Sequence, residues 1–309
     1  MAEPLPPSQV ASPSSLPGHV IEIRDLVKRF GDQTVLDGVN LSIRTGETMV
    51  IMGGSGSGKT TILRHMIGAL HPDEGQVRVF GKDLATLDEE GLNSVRRRFG
   101  ILFQSGALFN SMTLAENVAL PLQEHTELDQ DIIDIQVKIK LELVGLREHA
   151  DKFPAQLSGG MKKRAGLARA ISLDPALLFY DEPSAGLDPV TSAEIDVLIR
   201  NLSHKLGVTS VVVTHEMDSA FTVADRMAMF DKGRMLKIGD RAEFERLRVL
   251  PREAAASLSL DEQIIHQFVR GDPIGPITTR KTATNYADDL LGEALPTLSA
   301  PSVQPTRAT

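Results

Sequence analysis

The sequence of 309 residues contains no cysteine, which excludes a disulfide framework and does not indicate an oxidising compartment. Basic side chains are also few: 33 Lys and Arg stand against 41 Asp and Glu, for a formal net charge of −8. Nucleic-acid-binding proteins usually carry a basic face, so we expect no nucleic acid among the partners. No apolar run approaches the roughly 20 residues that are needed to span a bilayer.

The N-terminal stretch lacks the features of a targeting segment. Residues 1–19 are rich in Pro, Ser and Ala, without the basic start and apolar centre of a signal peptide. We expect a disordered leader there. Together these absences predict a protein of the cytoplasm, whose length allows one or two hydrophobic cores.

The most informative stretch is an apolar run at residues 49–52 that leads into the pattern Gly-x-x-x-x-Gly-Lys-Thr. This is the phosphate-binding P-loop, whose glycines let successive backbone N–H groups point at an anion ahead of a helix N-terminus. Lys59 would supply positive charge to the β- and γ-phosphates, and Thr60 a hydroxyl to Mg²⁺. A chance Gly/Ser linker is the alternative, and the strand before the loop and the helix after it argue against that. The predicted nucleotide-binding residues are Gly53, Gly54, Ser55, Gly56, Ser57, Gly58, Lys59, Thr60 and Thr61.

Two carboxylates follow a second apolar run. Residues 177–180 fit a buried parallel strand, and Asp181 and Glu182 stand at its carboxyl end, where doubly wound sheets bind their ligands. Asp181 would hold the Mg²⁺ that Thr60 also contacts, while Glu182 would orient or deprotonate a water in line with the γ-phosphate. Two exposed acids are the alternative. His215 ends a further strand, which we expect beside the first; a histidine there is more often structural, and this neighbour favours a role in the site.

Three single features are ambiguous alone. Phe30 lies between two strand-like segments, where an aromatic is usually core or turn packing. Gln104 ends a short apolar strand and precedes an apolar, small-residue loop at 105–114, although a solvated loop is the default interpretation of one glutamine. A Ser-Gly-Gly sequence at 158–160 begins a helical stretch and could bind an anion or be an ordinary N-cap.

Hydrophobic spacing predicts two helices outside these motifs. Apolar residues three or four apart predict a helix whose stripe faces the core; they are Ile132, Ile135, Ile139 and Leu143. Ser259 and Glu262 form a capping box for a second helix, which Gly271 should end. One face of that helix should carry Leu260, Ile264, Ile265 and Phe268.

The residues after this helix have little periodicity but keep apolar side chains, namely Tyr286, Leu290, Leu291 and Leu295. Apolar side chains on a segment too irregular to build a core usually find another surface. We expect this tail to contact a second copy of the chain or a partner protein. Folding back on its own domain, or disorder, is the alternative.

In this order the motifs resemble those of the nucleotide-binding subunits of ABC (ATP-binding cassette) transporters, over residues 20–247. The counterparts are the A-loop aromatic Phe30, Walker A at 53–60, the Q-loop Gln104, the signature at 157–161, Walker B at 177–182, the D-loop at 185–188 and the switch histidine His215. The signature usually ends in Gln, and Met161 stands at that position. The phosphate-contacting groups of the family signature are present at Ser158, Gly159 and Gly160, so this departure does not imply lost activity.

The resemblance implies an α/β fold, a P-loop NTPase (RecA-like) core with an antiparallel β-subdomain and an inserted α-helical subdomain at 105–161. The cassette of residues 20–247 would be followed by a partner-binding C-terminal extension at 248–295 and a disordered tail at 296–309.

The resemblance also implies an ATPase that uses ATP and Mg²⁺. Phe30 would stack on adenine, and Glu182, His215 and Gln104 would act at the γ-phosphate. Thr60, Gln104 and Asp181 would ligate the metal. Such subunits work as head-to-tail dimers, with ATP between Walker A of one copy and residues 158–160 of the other.

A narrower resemblance is to the ATPases of bacterial Mla (MCE-associated) phospholipid transporters, carried by residues 104–113, Met161 and the tail around Tyr286. It implies transport of phospholipid between the inner and outer membranes, which maintains outer-membrane lipid asymmetry. The implied partners are an integral-membrane permease, a STAS-domain protein and an MCE lipid-binding protein. The subunit would be cytoplasmic, peripheral on the inner membrane.

Two alternatives stay open. One is an ABC ATPase for another solute, such as an amino acid or a lipoprotein. The other is a non-transport ABC ATPase of repair, translation or cofactor assembly, against which the single cassette and the absence of heptads and cysteines argue. A binding module without hydrolysis is disfavoured because Glu182 is present.

Overall fold

The computed structural model describes residues 18–282. The predicted leader up to residue 17, the apolar tail residues Tyr286, Leu290, Leu291 and Leu295, and the tail at 296–309 lie outside the described residues. The described strands are β1 (His19–Phe30), β2 (Gln33–Arg44), β3 (Thr48–Gly53), β4 (Glu74–Val79), β5 (Lys82–Asp83), β6 (Phe99–Leu102), β7 (Leu177–Asp181), β8 (Thr209–Thr214), β9 (Arg226–Asp231) and β10 (Arg234–Asp240).

Helices lie between most of the strands from β3 to β9, and they form the regular structure of the described residues after β10. They are α1 (Lys59–Met66), α2 (Glu89–Arg96), α3 (Leu114–His125), α4 (Gln130–Leu143), α5 (Gly159–Ala170), α6 (Pro189–Leu206), α7 (Met217–Val223), α8 (Arg241–Val249), α9 (Arg252–Ala255), α10 (Leu260–Arg270) and α11 (Pro276–Thr282). No helix within residues 18–282 has both the length and the apolar character to cross a membrane.

The main sheet has six strands in the order β10-β9-β3-β8-β7-β6. Its neighbours are parallel except for β10, which pairs antiparallel with β9. The six residues of β3 and the six of β8 are all buried, as expected for central parallel strands covered on both faces. This confirms the predicted α/β fold.

A second, four-stranded antiparallel sheet has the order β2-β1-β4-β5. Its apolar residues, such as Ile21, Leu36 and Val79, join one face of the main sheet and α1 in a common core. The opposite face of the main sheet packs against α3, α4, α5 and α6 in a second core. The main sheet therefore lies between the two hydrophobic cores and contributes one face to each.

The stripe predicted for α4 is wrong about which face is buried. Ile132, Ile135 and Ile139 are 45%, 55% and 46% exposed, and of the four predicted residues Leu143 alone packs against the core. The core instead receives a second stripe that is offset by one or two positions. That buried stripe consists of Ile133, Val137 and Leu141. Two apolar stripes run along the same helix, and periodicity alone could not tell which one faces the protein.

The second predicted helix is α10, with the expected capping box. Ser259 accepts from the Glu262 N–H, and Gly271 ends the helix in the left-handed region at φ 68°. Ile264 and Ile265 are buried, but Leu260 is 63% exposed, so its assignment to the buried face is wrong. Leu260 is the first residue of the helix, ahead of the turns that contact the core.

Candidate functional site

The predicted motifs meet at one edge of the main sheet, where its parallel strands have their carboxyl ends. β3 leads into the P-loop, β7 into Asp181 and Glu182, and β8 into His215. Asp181 lies opposite Val213 of β8, which confirms that these strands are neighbours. Gln104 is two residues beyond Leu102, which lies opposite the last residue before Asp181. Strand order and register thus align four motifs that are far apart in the chain.

The P-loop closes onto the start of α1 through a glycine that no other residue could replace without strain. Gly58 is the N-cap at φ 108°, and a Cβ there would lie 2.8 Å from a methyl carbon of Leu36. Ser57 is buried, and its hydroxyl has no hydrogen-bond partner among the described residues. A buried hydroxyl without a partner is costly unless a ligand uses it. Ser55, Gly56 and Thr60 are exposed at the mouth of the loop.

Lys59 holds the loop from inside. Its ammonium donates to the carbonyl oxygens of Gly53 at 2.7 Å and Gly54 at 2.9 Å. Burial lowers the pKa of Lys59 below its ordinary value, whereas the nearby carboxylates of Glu182 and Asp181 act in the opposite direction. The loop therefore carries a buried cation next to the two acids, at the place where a phosphate chain would bring further negative charge.

A turn of the main sheet supports the P-loop from the side of the four-stranded sheet. The Gly233 N–H, between β9 and β10, donates to the Ser57 carbonyl at 2.9 Å. The Gly233 carbonyl accepts from Asp37 of β2 at 3.0 Å. Phe30 lies at the end of β1, 48% exposed, with the Lys28 ammonium 5.6 Å from its ring centre. Within residues 18–282 no hydrogen bond or ring contact joins Phe30 to the P-loop.

The two carboxylates differ in environment. Asp181 is half-buried at the end of β7, and burial followed by the Glu182 charge raises the pKa of its carboxyl, against Lys163, Arg64 and Lys59. Glu182 has φ 49°, an unfavourable left-handed conformation for a residue with a side chain. Its main chain is held on both sides: the N–H donates to Val213 at 2.9 Å and the carbonyl accepts from Lys163 Nζ at 2.9 Å.

His215 contacts Glu182 directly. The Nδ1–H of His215 donates to Oε1 of Glu182 at 2.9 Å, and its backbone N–H donates to Oε2 at 3.3 Å. The histidine side chain is 57% exposed and the glutamate side chain 13%. The carboxylate is therefore oriented by both hydrogen bonds, while the far side of the imidazole remains accessible.

Gln104 is exposed at the start of the apolar loop, whose backbone is hydrogen-bonded by one buried and one half-buried side chain. The Asn117 side chain, fully buried in α3, accepts from the Phe109 N–H at 2.8 Å and donates to the Phe109 carbonyl at 3.1 Å. Arg169 of α5 donates to the Ala107 carbonyl at 2.8 Å. The backbone is thereby fixed, while Phe103 and Phe109 are 39% and 50% exposed.

The signature residues lie at the start of α5. Ser158 is the N-cap, and its hydroxyl accepts from the Met161 N–H at 3.3 Å. Gly160 packs against α6, where an added Cβ would lie 2.4 Å from the Thr191 methyl carbon. Within residues 18–282 no hydrogen bond joins 158–160 to the P-loop of the same chain. The structure therefore brings Lys59, Asp181, Glu182 and His215 together and keeps the signature apart.

Sequence reasoning missed three buried polar groups that position the site. Lys163 and Asn117 are described above. The third is Asp196, which accepts from the Ser219 hydroxyl at 2.6 Å. Ser219 in turn lies 3.0 Å from the Ser184 hydroxyl, two residues after Glu182. Lys163 is the second residue after the signature, and only its burial, which the sequence does not reveal, distinguishes it from Lys162.

The residues present fit a nucleotide with Mg²⁺. Residues 18–282 hold no group of three or more His, Asp or Glu arranged as a metal site. Magnesium commonly binds one or two carboxylates together with substrate phosphates, and Thr60, Gln104 and Asp181 offer oxygen ligands of this kind. The unpartnered Ser57 hydroxyl and the buried Lys59 ammonium match a phosphate chain.

Comparison with known proteins identifies the family. The ABC transporter family matches over residues 36–185. The "Intermembrane phospholipid transport system ATP-binding protein MlaF" of Haemophilus influenzae is 38% identical over 272 residues, covering 88% of this chain and 98% of the relative. The "Probable ribonucleotide transport ATP-binding protein mkl" of Mycobacterium leprae is 42% identical over 260 residues, covering 84% of this chain and 71% of the relative.

Solved structures agree with this family. An ATP-binding cassette in a dimeric, post-hydrolysis state bound to ADP and Pi aligns with a TM-score of 0.66 at 31% identity, covering 72% of this chain and 98% of that chain. CbiO1 of Clostridium perfringens, part of an ABC transporter complex, aligns with a TM-score of 0.69 at 28% identity, covering 78% and 99%. The predicted resemblance is confirmed: the chain belongs to the ATP-binding subunits of ABC transporters and is an ATPase.

Proposed function

We propose that the P-loop binds the phosphates of ATP with Mg²⁺ and that Glu182 is the base that activates the attacking water. The observation that carries this role is the orientation of the Glu182 carboxylate by both N–H groups of His215, beside the buried Lys59. Lys59 and the backbone N–H groups stabilise negative charge on the transferring phosphoryl group. Mg²⁺, held by Thr60, Gln104 and Asp181, would neutralise further phosphate charge.

His215 fixes Glu182 in the geometry of a general base. Its Nδ1–H donates to the carboxylate, so Nδ1 carries the proton and Nε2 can accept a hydrogen bond at the exposed side of the ring. Gln104, at the carboxyl end of the neighbouring strand, would contact the metal or the water, and Phe30 would stack on adenine. Replacing His215, Gln104 or Phe30 with alanine would remove the corresponding role.

A head-to-tail dimer completes the site. Ser158, Gly159 and Gly160 present a hydroxyl and N–H groups at the N-terminus of α5, a place that favours anions, yet no described contact joins them to their own P-loop. In a dimer they would lie on the phosphates bound by the partner's Walker A. The solved cassette that is similar in sequence and fold is itself a dimer with ADP and Pi.

The transported substrate we propose is phospholipid, moved between the inner and outer membranes to maintain outer-membrane lipid asymmetry. The supporting observation is the similarity to MlaF, which extends over 98% of the length of that relative. In this function the chain works at the cytoplasmic face of the inner membrane. Its partners are an integral-membrane permease, a STAS-domain protein and an MCE lipid-binding protein.

The apolar loop after Gln104 is the surface we assign to the permease. Its exposed Phe109 stands on a backbone to which Asn117 and Arg169 are hydrogen-bonded, and the exposed Phe103 lies directly before Gln104, so both suit aromatic anchors at an interface. A cleft of about 670 Å³ lies beside Phe103 and Arg169, lined also by residues of α2, β6 and α3. The extension at 248–295 would contact a further protein subunit.

The function can be tested by purifying the tagged full-length chain from native membranes, in wild-type form and as Glu182→Gln. We expect a permease and an MCE protein to co-purify with phospholipid, and ATP to drive transfer of labelled phospholipid by the wild type alone. ATP-stimulated uptake of ribonucleotide, the solute in the name of the mycobacterial relative, would overturn the phospholipid assignment. Absence of any membrane protein from the purified complex would favour a non-transport ATPase.

A further inference from the structure

Glu182 has a backbone conformation that its own side chain disfavours. At φ 49° a non-glycine residue persists only where its surroundings hold it. The Glu182 carbonyl accepts two hydrogen bonds, from Lys163 Nζ at 2.9 Å and from the Ala185 N–H at 3.3 Å. The second comes from the adjacent turn, so within the described residues Lys163 is the hydrogen-bond donor that reaches the Glu182 carbonyl from a different element.

Lys163 is unusual for a lysine in being 5% exposed. An ammonium group in a protein interior is unfavourable unless hydrogen bonds and opposite charges compensate its lost hydration. Its hydrogen bond within the described residues is to the Glu182 carbonyl. Burial lowers the pKa of Lys163, and the negative charges of Asp181, Glu182 and Glu216 act in the opposite direction. An apolar side chain of similar length could fill this volume without those requirements. Packing alone therefore does not explain why an ammonium group, which donates a hydrogen bond to the Glu182 carbonyl, stands at this position.

We propose that Lys163 is a positioning residue for the proposed base Glu182: from the signature helix α5 it holds the Glu182 carbonyl and thereby fixes the direction of the carboxylate. This rests on the proposed role of Glu182. Lys163 touches neither nucleotide nor water in the reaction. It acts through the main chain of Glu182, whose conformation sets the direction of the Cα–Cβ bond. His215 fixes the position of the carboxylate at the other end of the side chain.

The position of Lys163 links this contact to the signature. Ser158 caps α5, and Lys163 lies five residues later on the same helix, about 7.5 Å along the axis at 1.5 Å per residue. A displacement of α5 would be transmitted to the Glu182 carbonyl through this one side chain.

The test compares Lys163→Met with Lys163→Arg in the full-length chain, with Lys162→Met, the adjacent lysine, as the matched control. Met keeps the length and apolar packing but cannot donate, so we expect kcat for ATP to fall at least about tenfold with KM within about twofold of wild type. Arg can donate to the same carbonyl and should restore most of kcat. The control should keep wild-type values.

A double variant separates positioning from packing. Because Lys163 acts through Glu182, adding Lys163→Met to Glu182→Gln should not lower the residual turnover further. An additive loss would overturn the proposal, as would a wild-type kcat in Lys163→Met. If Lys163→Met unfolds or loses ATP binding, Lys163→Gln replaces it, and loss of ATP binding there too would assign Lys163 to the core. Undiminished turnover in Glu182→Gln alone would instead refute the proposed base, independently of Lys163.

Discussion

Lys59 has hydrogen-bond acceptors within the P-loop itself: its ammonium donates to the carbonyls of Gly53 and Gly54. A phosphate chain would add anionic acceptors to the same cation. We predict that Lys59→Ala weakens ATP binding about 10- to 100-fold, since a hydrogen bond to a charged group is worth about 1.5–3 kcal/mol. Isothermal titration measures this, with the exposed Lys82→Ala as control. An unchanged dissociation constant would remove Lys59 from the binding site.

Asp196 is a buried acid with an unsatisfied oxygen. Ser219 donates to its Oδ2, while Oδ1 has no hydrogen-bond partner within the described residues. Burial raises the pKa of this carboxyl from 3.8 to about 6, against the Ser219 hydrogen bond and with a smaller contribution from the charge of Glu216. Because the folded state binds the proton more tightly than the unfolded state, folding is favoured at low pH. That contribution is lost as pH rises through the folded pKa.

We therefore predict that Asp196→Asn removes a pH dependence of stability between pH about 4 and about 6. The amide keeps an acceptor for Ser219 and is neutral at every pH, so the variant should be more stable than wild type at pH 7. Urea denaturation at several pH values measures the effect, and Asp151→Asn at an exposed site is the control. Parallel stability curves for wild type and Asp196→Asn would contradict the prediction.

The single residues found from sequence and those missed differ in one respect. The P-loop, Asp181, Glu182 and His215 lie in compact motifs, so each is supported by its neighbours in the chain. Lys163 is important because it reaches Glu182, 19 residues away, through a buried hydrogen bond. No pattern in the sequence distinguishes this lysine from the one before it, since burial is decided by tertiary packing.

Among the elements, α4 shows where periodicity is insufficient. Its two apolar stripes satisfy the same helical spacing, and only packing decides that Ile133 is buried at 3% exposure whereas Ile135 is 55% exposed. The exposed stripe is an apolar face that a subunit of the assembly could cover.

We predict that replacing Ile135 and Ile139 together with Gln leaves the stability of the isolated chain within about 0.5 kcal/mol per site, as for most surface substitutions. Ile133→Ala, one position from the exposed stripe, should cost about 2–5 kcal/mol because it opens a cavity. Thermal denaturation compares them. A large loss in the Gln pair would mean that the stripe is part of the core after all. In the purified complex, loss of a subunit with the Gln pair would identify this stripe as its surface.

The loop at 105–112 depends on one side chain of α3. Asn117 makes hydrogen bonds to Phe109, Met112 and Thr113, and is fully buried. We predict that Asn117→Ala lowers the free energy of unfolding by roughly 2 kcal/mol or more, because it removes a buried side chain that makes four hydrogen bonds to the backbone of Phe109, Met112 and Thr113. Hydrogen exchange should increase at 105–112 first. Glu124→Ala, exposed on the same helix, should change neither. Unaltered exchange in Asn117→Ala would show that the loop is held by other contacts.

At the scale of the whole molecule, the signature of one chain needs a second chain to reach a nucleotide. We predict that Ser158→Ala abolishes ATP-dependent dimerisation in the Glu182→Gln background, measured by size-exclusion chromatography with light scattering. Ser158 also caps α5, and losing a cap costs about 1 kcal/mol. Ser259→Ala removes a comparable cap from α10 and is the matched control, which should still dimerise. ATP-dependent dimers of Ser158→Ala would disprove the proposed arrangement of the signature.

Individual strands of the main sheet could be predicted from the sequence, whereas most of their arrangement could not. Continuous apolar runs at β3, β7 and β8 identified buried parallel strands, and the motifs after them identified the edge that binds the ligand. The adjacency of β7 and β8 was predicted, but the rest of the six-strand order and the pairing of β1 with β4 could not be derived, because most of these contacts join segments far apart in the chain, such as Met49 with Val211 and Ile21 with Val79. The resemblance to a family supplied the general architecture, and the residue contacts came only with the structure.

The helix α5 has a consequence for the timing of hydrolysis. In the proposed dimer its first residues serve the nucleotide on the partner, and Lys163, one and a half turns later, contacts the carbonyl of Glu182 beside the nucleotide of its own chain. A rigid helix would therefore make each catalytic glutamate sensitive to occupancy of the other site. Such a molecule responds to ATP as a switch: turnover should rise with a Hill coefficient above one, approaching the number of sites as the coupling strengthens.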